Sequence, residues 1–267
     1  MRSKAVLALS LVAAVSAALA ISTRWPFISR ASNAAPQKQP VVVELFTSEG
    51  CSSCPPADGL LKKLSEDQPF DNIEVIALEE HVDYWNHLGW RDPYSSSDFT
   101  QRQNDYASSL PRGGVYTPQM VIDGRVQFVG SRSTDARQQI LAAASHPKAR
   151  LLLTAVPSPK EHNRSFEMRV DPDAPPFPSA TMDFYVAVTA KGLQAKPTSG
   201  ENSGEALQHA PVVRELRKLR SVHLPLSAPV DFSLDVRDAW VAPNLTIVAF
   251  LADHHHQVLA AGSLSPL

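Results

Sequence analysis

After residue 40 the chain alternates between short apolar runs and amphipathic segments. The β-branched run VVVELF starts at Val41 and ends at the turn-forming TSEG, which predicts a strand buried on both faces. Apolar residues then recur at helical spacing from Ala57 to Leu64, and NIEVIALEE, residues 72–80, predicts a second buried strand. Strand, helix and strand in this order predict a parallel β-α-β unit.

The next segments predict a loop, a helix, a hairpin and another helix. The aromatic stretch HVDYWNHLGWRDPYSSSD is too irregular for a helix and predicts a loop. A helix is predicted from Asp98, with Asp98 as its N-cap, and YTPQMVIDGRVQFVG predicts two strands around a two-residue turn at Asp123 and Gly124. A last helix is predicted over residues 134–145. With a Cys-x-x-Cys after the first strand and an X-Pro opening the third, this order predicts a thioredoxin-like fold over residues 41–147.

Beyond residue 147 the pattern becomes that of an all-β region. Short runs are separated by Pro, Gly, Asp and Asn: RLLLTAV, RSFEMRV, TMDFYVAVTA, VDFSLDV, LTIVAFLAD and QVLAAGS. They predict a β-sandwich-like domain over residues 148–267. The segment GENSGEALQHAPVVRELRKLRS interrupts their spacing, and we predict a strand after Ala206. The predicted fold class is therefore α/β, a thioredoxin-like fold followed by an all-β, sandwich-like domain.

The first 22 residues, MRSKAVLALSLVAAVSAALAIS, place Arg2 and Lys4 before an apolar run that ends in small residues. This is typical of a signal peptide, and the run is also long enough to serve as an uncleaved N-terminal anchor. Residues 23–40 are polar, contain three prolines and predict a linker. We therefore expect an exported protein, periplasmic or secreted, with no other membrane contact.

Composition is that of a globular protein without a nucleic-acid partner. The 267 residues are 43% hydrophobic and 19% charged, with a formal net charge of −2 and charges of mixed sign along the chain. We expect no cofactor. The expected partner is a thiol- or disulfide-bearing envelope protein or a small thiol.

Cys51 and Cys54 are the two cysteines of the chain, so each can bond only to the other or to another molecule. A thiolate is stabilised at a helix N-terminus, so spacing predicts Cys51 as the outer nucleophile and Cys54 as the resolving thiol. Pro55 and Pro56 complicate this, because they delay the regular helix to near Cys54 and leave Cys51 on a loop.

Several other residues are predicted to surround the pair. The Thr117–Pro118 bond is expected to be cis and to face the cysteines. Glu44 lies inside a buried strand, where it would shuttle a proton to Cys54 or form a salt bridge. The second strand ends at His81, and the following residues are predicted either to wall a substrate groove or to cover the core: Asp83, Tyr84, Trp85 and Trp90. His254, His255 and His256 predict a polar hairpin turn rather than a metal site.

Long motifs carry a resemblance to a known family: ELFTSEGCSSCPPAD, HVDYWNHLGWRDPYSS, RQNDYA, VYTPQMVIDG and GENSGEALQHAPVVREL. With these the chain resembles the secreted thioredoxin-like family catalogued as domain-of-unknown-function family 1223, from Val41 to the C-terminus. The resemblance implies a thioredoxin-like domain carrying Cys51 and Cys54, joined to a β-rich part. It implies no substrate.

Three functions are consistent with these residues. The first is thiol-disulfide exchange, with Cys51 attacking and Cys54 resolving. The second is copper(I) handling by Cys51, Cys54 and His81, since thiolates suit a thiophilic ion. The third is a non-catalytic binding module whose disulfide is structural.

Overall fold

The computed structural model describes residues 38–111, 114–158, 163–176, 179–237, 240 and 244–265. The predicted signal segment lies outside them. The described strands are β1 (Gln39–Thr47), β2 (Ile73–His81), β3 (Gln119–Ile122), β4 (Val126–Val129), β5 (Ala149–Val156), β6 (Asn163–Val170), β7 (Ala180–Ala190), β8 (Gln194–Ala195), β9 (Leu207–Gln208), β10 (Val212–Leu224), β11 (Val230–Asp235), β12 (Leu245–Ala252) and β13 (Val258–Leu264). The described helices are α1 (Pro55–Asp67), α2 (Ser97–Ser109) and α3 (Ser133–Ala144), with a 3-10 turn at Asn86–Leu88.

Eleven of the described strands form one mixed sheet in the order β11-β6-β5-β13-β12-β7-β10-β2-β1-β3-β4, and β8 pairs with β9. β1 runs parallel to β2 over its whole length, as the β-α-β pattern predicts, and antiparallel to β3. β10 continues the sheet, because it pairs with β2 at Val212 and Glu79 and with β7 along its length.

The predicted fold class is wrong. The described residues are mostly β, with 20% in helices and 43% in strands. Eleven of these strands form one mixed sheet, which is not a thioredoxin-like α/β fold. The C-terminal strands agree only loosely with a sandwich. Local periodicity identified the strands and helices. It did not show that β10 pairs with the edge of β2, because pairing between distant strands depends on side-chain packing. The domain boundary near residue 147 stays a prediction.

Most individual elements match their predictions, and the differences concern their ends. Helix α2 is capped by Ser96, whose hydroxyl accepts from the Asp98 N–H at 3.1 Å, so the cap predicted at Asp98 lies two residues too late. The predicted hairpin is present, but three residues separate β3 from β4. Its Asp123 and Gly124 both have positive φ, 48° and 63°, as a primed turn requires.

Alternation along β1 and β2 sorts their side chains onto two faces of the sheet. Val43 and Leu45 pack with α1 and α3, whereas Val42 packs with Phe99 of α2. Because successive side chains point to opposite faces, Thr47, Glu79 and His81 share the α1 face, and Glu44 and Glu80 share the α2 face. In the part of the chain described here, no helix is both long and apolar enough to cross a membrane.

Candidate functional site: a disulfide turn above a buried polar cluster

Cys51 and Cys54 form a disulfide in the turn that leads from β1 into α1. The Cys51 N–H donates to the Ser48 carbonyl and the Cys54 N–H donates to the Cys51 carbonyl, both at 3.1 Å. Cys54 is the N-cap of α1, and prolines occupy its first positions. Cys51 therefore lies on the loop, as the two prolines predict, and the helix begins after Cys54.

The bend at Thr117 and Pro118 lies against the disulfide. The Thr117–Pro118 bond is cis, as predicted. The Thr117 hydroxyl donates to the Cys51 Sγ at 3.3 Å and accepts from the Trp85 Nε1–H at 2.8 Å. The bend thus joins the disulfide to the aromatic loop that follows β2.

A loop from the distant part of the chain, residues 200–204, binds the disulfide turn. The Asn202 side-chain amide donates to the carbonyl oxygens of Glu49, at 2.9 Å, and Cys51, at 3.0 Å. The Glu201 carboxylate accepts from the Ser52 N–H at 3.0 Å. Both cysteines are 0% exposed, so access to either sulfur requires movement of its surroundings.

The predicted aromatic residues contact this region. The Trp90 Nε1–H donates to the Glu49 carboxylate at 2.7 Å, and the Tyr84 and Trp85 rings lie 6.5 Å apart. Asp83 accepts from the Thr100 hydroxyl at 2.6 Å. Trp90 thus supports the disulfide turn and Trp85 supports the bend, whereas Asp83 is bonded to α2. The substrate-groove role remains a prediction.

Beneath the turn lies a buried cluster of two imidazoles and three carboxylates, which we call the imidazole cluster. The Glu79 Oε1 lies 3.1 Å from the His81 Nε2 and 2.9 Å from the His209 Nδ1. The outer ring nitrogens meet other carboxylates: the His81 Nδ1 lies 2.6 Å from Asp92, and the His209 Nε2 lies 3.2 Å from Glu49. The cluster therefore ties β2 to the disulfide turn and to the chain before β10.

Burial and charge oppose each other in the imidazole cluster. Burial alone lowers the pKa of His81, but the adjacent Asp92 and Glu79 carboxylates outweigh it and raise that pKa well above its ordinary value. For His209, burial likewise lowers the pKa, and hydrogen bonds to Glu49 and Glu79 raise it to about 9. Burial raises the pKa of Glu79, but the two imidazoles hold it below its ordinary value. The cluster thus favours positive charge on its rings.

Asp58 is a further buried acid on this face. It lies one helical turn after Cys54 in α1, and its Oδ1 accepts from the Thr47 hydroxyl at 2.6 Å. Burial, followed by the charge of Glu79, raises the pKa of Asp58 to about 8. Asp58 is therefore an acid that exchanges its proton near neutral pH.

Glu44, the predicted proton shuttle, faces the other side of the sheet. It forms a buried ion pair with Arg102 and accepts from the Tyr106 hydroxyl at 2.6 Å. Glu80 lies beside it, and burial followed by the charge of Glu44 raises the pKa of Glu80 well above its ordinary value. The salt bridge left open by the sequence is thus formed, whereas the proton-transfer role remains a prediction.

Among the described residues, Glu79, His81 and His209 are the one group of three with metal-ligand atoms within 4.8 Å of one another. The copper(I) set predicted from Cys51, Cys54 and His81 is not assembled, since the cysteines are bonded to each other and both His81 nitrogens face carboxylates. His254 and His255 lie exposed in the turn between β12 and β13, as predicted.

Seven polar residues of this region were not predicted from the sequence: Glu49, Asp58, Glu79, Asp92, Glu201, Asn202 and His209. Two signals pointed to some of them. Glu79 and Glu80 close an apolar strand, where carboxylates require partners. Glu201, Asn202 and His209 lie within one of the motifs that carry the family resemblance.

These features define the chain as a β-rich protein with a buried Cys-x-x-Cys disulfide resting on a cis-proline bend. The chain belongs to the family described as protein of unknown function DUF1223, whose model matches residues 42–252. No curated protein matches the sequence.

Two solved structures are similar to the chain. The crystal structure of protein AGR_C_4864 from Agrobacterium tumefaciens is 24% identical, with a TM-score of 0.61 over 85% of this chain and 93% of that chain. This likeness concerns the fold. A calcium binding mutant of Bacteroides uniformis beta-glucuronidase 2 is 13% identical over 44% of this chain and 14% of that chain, and its TM-score of 0.25 is too low for a shared fold.

Proposed function

We propose that the protein is an exported thiol-disulfide oxidoreductase that exchanges its Cys51–Cys54 disulfide with a thiol-bearing envelope protein or small thiol. One observation carries the proposal: the Thr117 hydroxyl, beside the cis-proline, donates to the Cys51 sulfur at 3.3 Å. A hydrogen bond to this sulfur stabilises the thiolate that forms there when the disulfide is reduced.

The exchange proceeds in two steps. A substrate thiolate attacks the Cys51 sulfur, a mixed disulfide forms, and Cys54 leaves with the electron pair of the broken bond. A second substrate thiolate then attacks the substrate sulfur of the mixed disulfide, and Cys51 leaves as a thiolate with the electron pair of the broken bond. The two substrate thiols are thereby oxidised to a disulfide, and the protein disulfide is reduced by two electrons. The reverse sequence reduces a substrate disulfide.

We assign proton transfer at Cys54 to Asp58. The two residues are four apart in sequence and so are neighbours on one face of the helix. A carboxyl group with a pKa of about 8 gives a proton to the departing Cys54 thiolate and takes one back from the thiol near neutral pH.

A structural disulfide in a binding module is the second candidate, and the complete burial of both cysteines favours it. The two functions differ in redox properties. Exchange catalysts have potentials of about −120 to −270 mV, whereas structural disulfides lie below about −300 mV.

The test is the reduction potential of the wild-type disulfide in glutathione and dithiothreitol buffers, with insulin reduction as the activity assay. We expect a potential above about −270 mV, and we expect Cys51→Ser to abolish insulin reduction. Cys54→Ser is the matched control, because it retains Cys51 and should trap the mixed disulfide with the substrate. A potential below about −300 mV, with no mixed disulfide trapped, would establish the structural role.

A further inference from the structure

We propose that Glu79, His81 and His209 form a binding site for a divalent transition-metal ion, with Zn²⁺ as the expected occupant. The donor atoms are the His81 Nε2, the His209 Nδ1 and the Glu79 Oε1. Two imidazoles and one carboxylate are a ligand set that suits Zn²⁺ and leaves a fourth position for water.

The distances between the donor atoms fit a single ion. Both ring nitrogens lie near the Glu79 Oε1, at 3.1 Å and 2.9 Å, and all three atoms fall within 4.8 Å of one another. Zinc–ligand bonds of about 2.0–2.1 Å place neighbouring ligands of a tetrahedral site roughly 3.3 Å apart. Shifts of roughly 1 Å therefore bring these atoms to coordination geometry.

The outer nitrogens are already held as they are in metal sites. A metal-bound histidine normally donates its other N–H to a carboxylate, which fixes the ring orientation. His81 has Asp92 in that position at 2.6 Å, and His209 has Glu49 at 3.2 Å. An outer carboxylate therefore already orients both rings, as it does in metal sites.

Charge and access also suit a cation. Three carboxylates face two rings, and the positive charge they need is supplied either by two protonated rings or by one divalent ion held between the same two rings in their neutral form. The Tyr94 ring packs against both imidazoles at centroid distances of 5.5 Å and 5.4 Å, and it lines a cavity of about 360 Å³ with Arg214 and Trp240. Movement of Tyr94 would open a path to the site.

The test uses the purified protein with its disulfide intact, freed of metal with EDTA and titrated with Zn²⁺ by calorimetry. His81→Asn retains an amide nitrogen near the Nδ1 position and removes the Nε2 ligand. His209→Gln retains one near the Nε2 position and removes the Nδ1 ligand. Asp92→Asn keeps all three ligand atoms and changes only the side chain that faces the His81 Nδ1. We expect one Zn²⁺ per wild-type chain, loss of more than about 100-fold in affinity for either histidine variant, and about 10- to 100-fold loss for Asp92→Asn.

The control for adventitious binding is the double variant His254→Ala and His255→Ala, which removes two exposed rings 3.9 Å apart. It should bind Zn²⁺ as the wild type does. Thermal unfolding in EDTA verifies that each variant is folded. Added Zn²⁺ should raise the melting temperature of the wild type and leave those of His81→Asn and His209→Gln unchanged. The proposal is overturned if the wild type binds no Zn²⁺, or if the His254 and His255 double variant loses binding while His81→Asn keeps it.

Discussion

Replacement of Asp58 by Asn should stabilise the protein at alkaline pH and change the shape of its pH profile. The carboxyl group of Asp58 titrates at about 8 when folded, against an ordinary value of 3.8. Between these values the folded state binds a proton that the unfolded state has lost, so stability falls as pH rises. The side-chain amide of the Asp58→Asn variant would keep a hydrogen-bond partner for Thr47 but has no proton to lose.

The size of the effect follows from linkage. Each pH unit in this window costs roughly 1.4 kcal/mol, which amounts to about 3 to 4 kcal/mol between pH 5 and pH 8. Glu79, His81 and His209 also face Asp58 electrostatically, so the difference between the two proteins compares the coupled group with Asp58 to the same group without it. The free energy of unfolding of the wild type, minus that of Asp58→Asn, should therefore fall by about 3 to 4 kcal/mol when the pH is raised from 5 to 8.

The assay is guanidinium unfolding at pH 5 and pH 8, with EDTA present and the disulfide intact. Asp67→Asn is the matched control, because it makes the same change at an exposed position of α1 and should leave the profile unchanged. If the wild-type and Asp58→Asn profiles ran parallel to within about 0.5 kcal/mol, a variation ordinary for surface substitutions, Asp58 would not carry the proton assigned to it.

Two further predictions concern stability. Gly124→Ala should lower the free energy of unfolding by about 3 kcal/mol, because the new β-carbon would overlap the backbone of the turn between β12 and β13. Gly192→Ala, also at positive φ but with open space around it, should lower it by about 1 kcal/mol. Arg102→Met should cost about 3 to 5 kcal/mol, because it leaves the buried Glu44 carboxylate without its cation. Arg169→Met, at an exposed pair, should leave the stability nearly unchanged. Urea unfolding at pH 7 checks both pairs, and equal losses within a pair would contradict the structural reasoning.

Local patterns predicted local structure well and long-range assembly poorly. The runs that became β1, β2 and β12 are visible as apolar segments, and the paired prolines explain why α1 begins after Cys54. The continuous sheet was not predictable in the same way, since the contact of β10 with β2 depends on packing between segments far apart in sequence.

The same limit applies to the site. Cys51, Cys54 and Thr117 carry signals in their immediate sequence, because cysteine spacing and an X-Pro bond have a chemical meaning by themselves. Asp58 and His209 have no such signal. Their significance comes from burial and from neighbours distant in sequence, such as Thr47 and Glu49, and a single sequence does not report either property.

The burial of the disulfide bears on both proposed functions, because exchange requires the 200–204 loop to open. The free energy of that opening follows from the hydrogen bonds that hold the loop. Asn202 and Glu201 make three hydrogen bonds to the disulfide turn. The two Asn202 hydrogen bonds are buried, and at about 1 kcal/mol each they hold the 200–204 loop closed by about 2 kcal/mol, which leaves roughly one molecule in 30 open at equilibrium. If exchange takes place only in open molecules, its rate is lowered by that factor, so burial alone slows the proposed reaction rather than abolishing it.

Asn202→Ala tests this argument, because it removes two of the three hydrogen bonds. The open population, and with it the rate at which dithiothreitol reduces the disulfide, should rise by about 5- to 30-fold, as expected for about 1 to 2 kcal/mol. Asn104→Ala, at an exposed position of α2, should leave the rate unchanged. An equal rate in the wild type and Asn202→Ala would mean that the loop does not control access, and the two buried sulfurs would then be better explained as a structural link between β1 and α1.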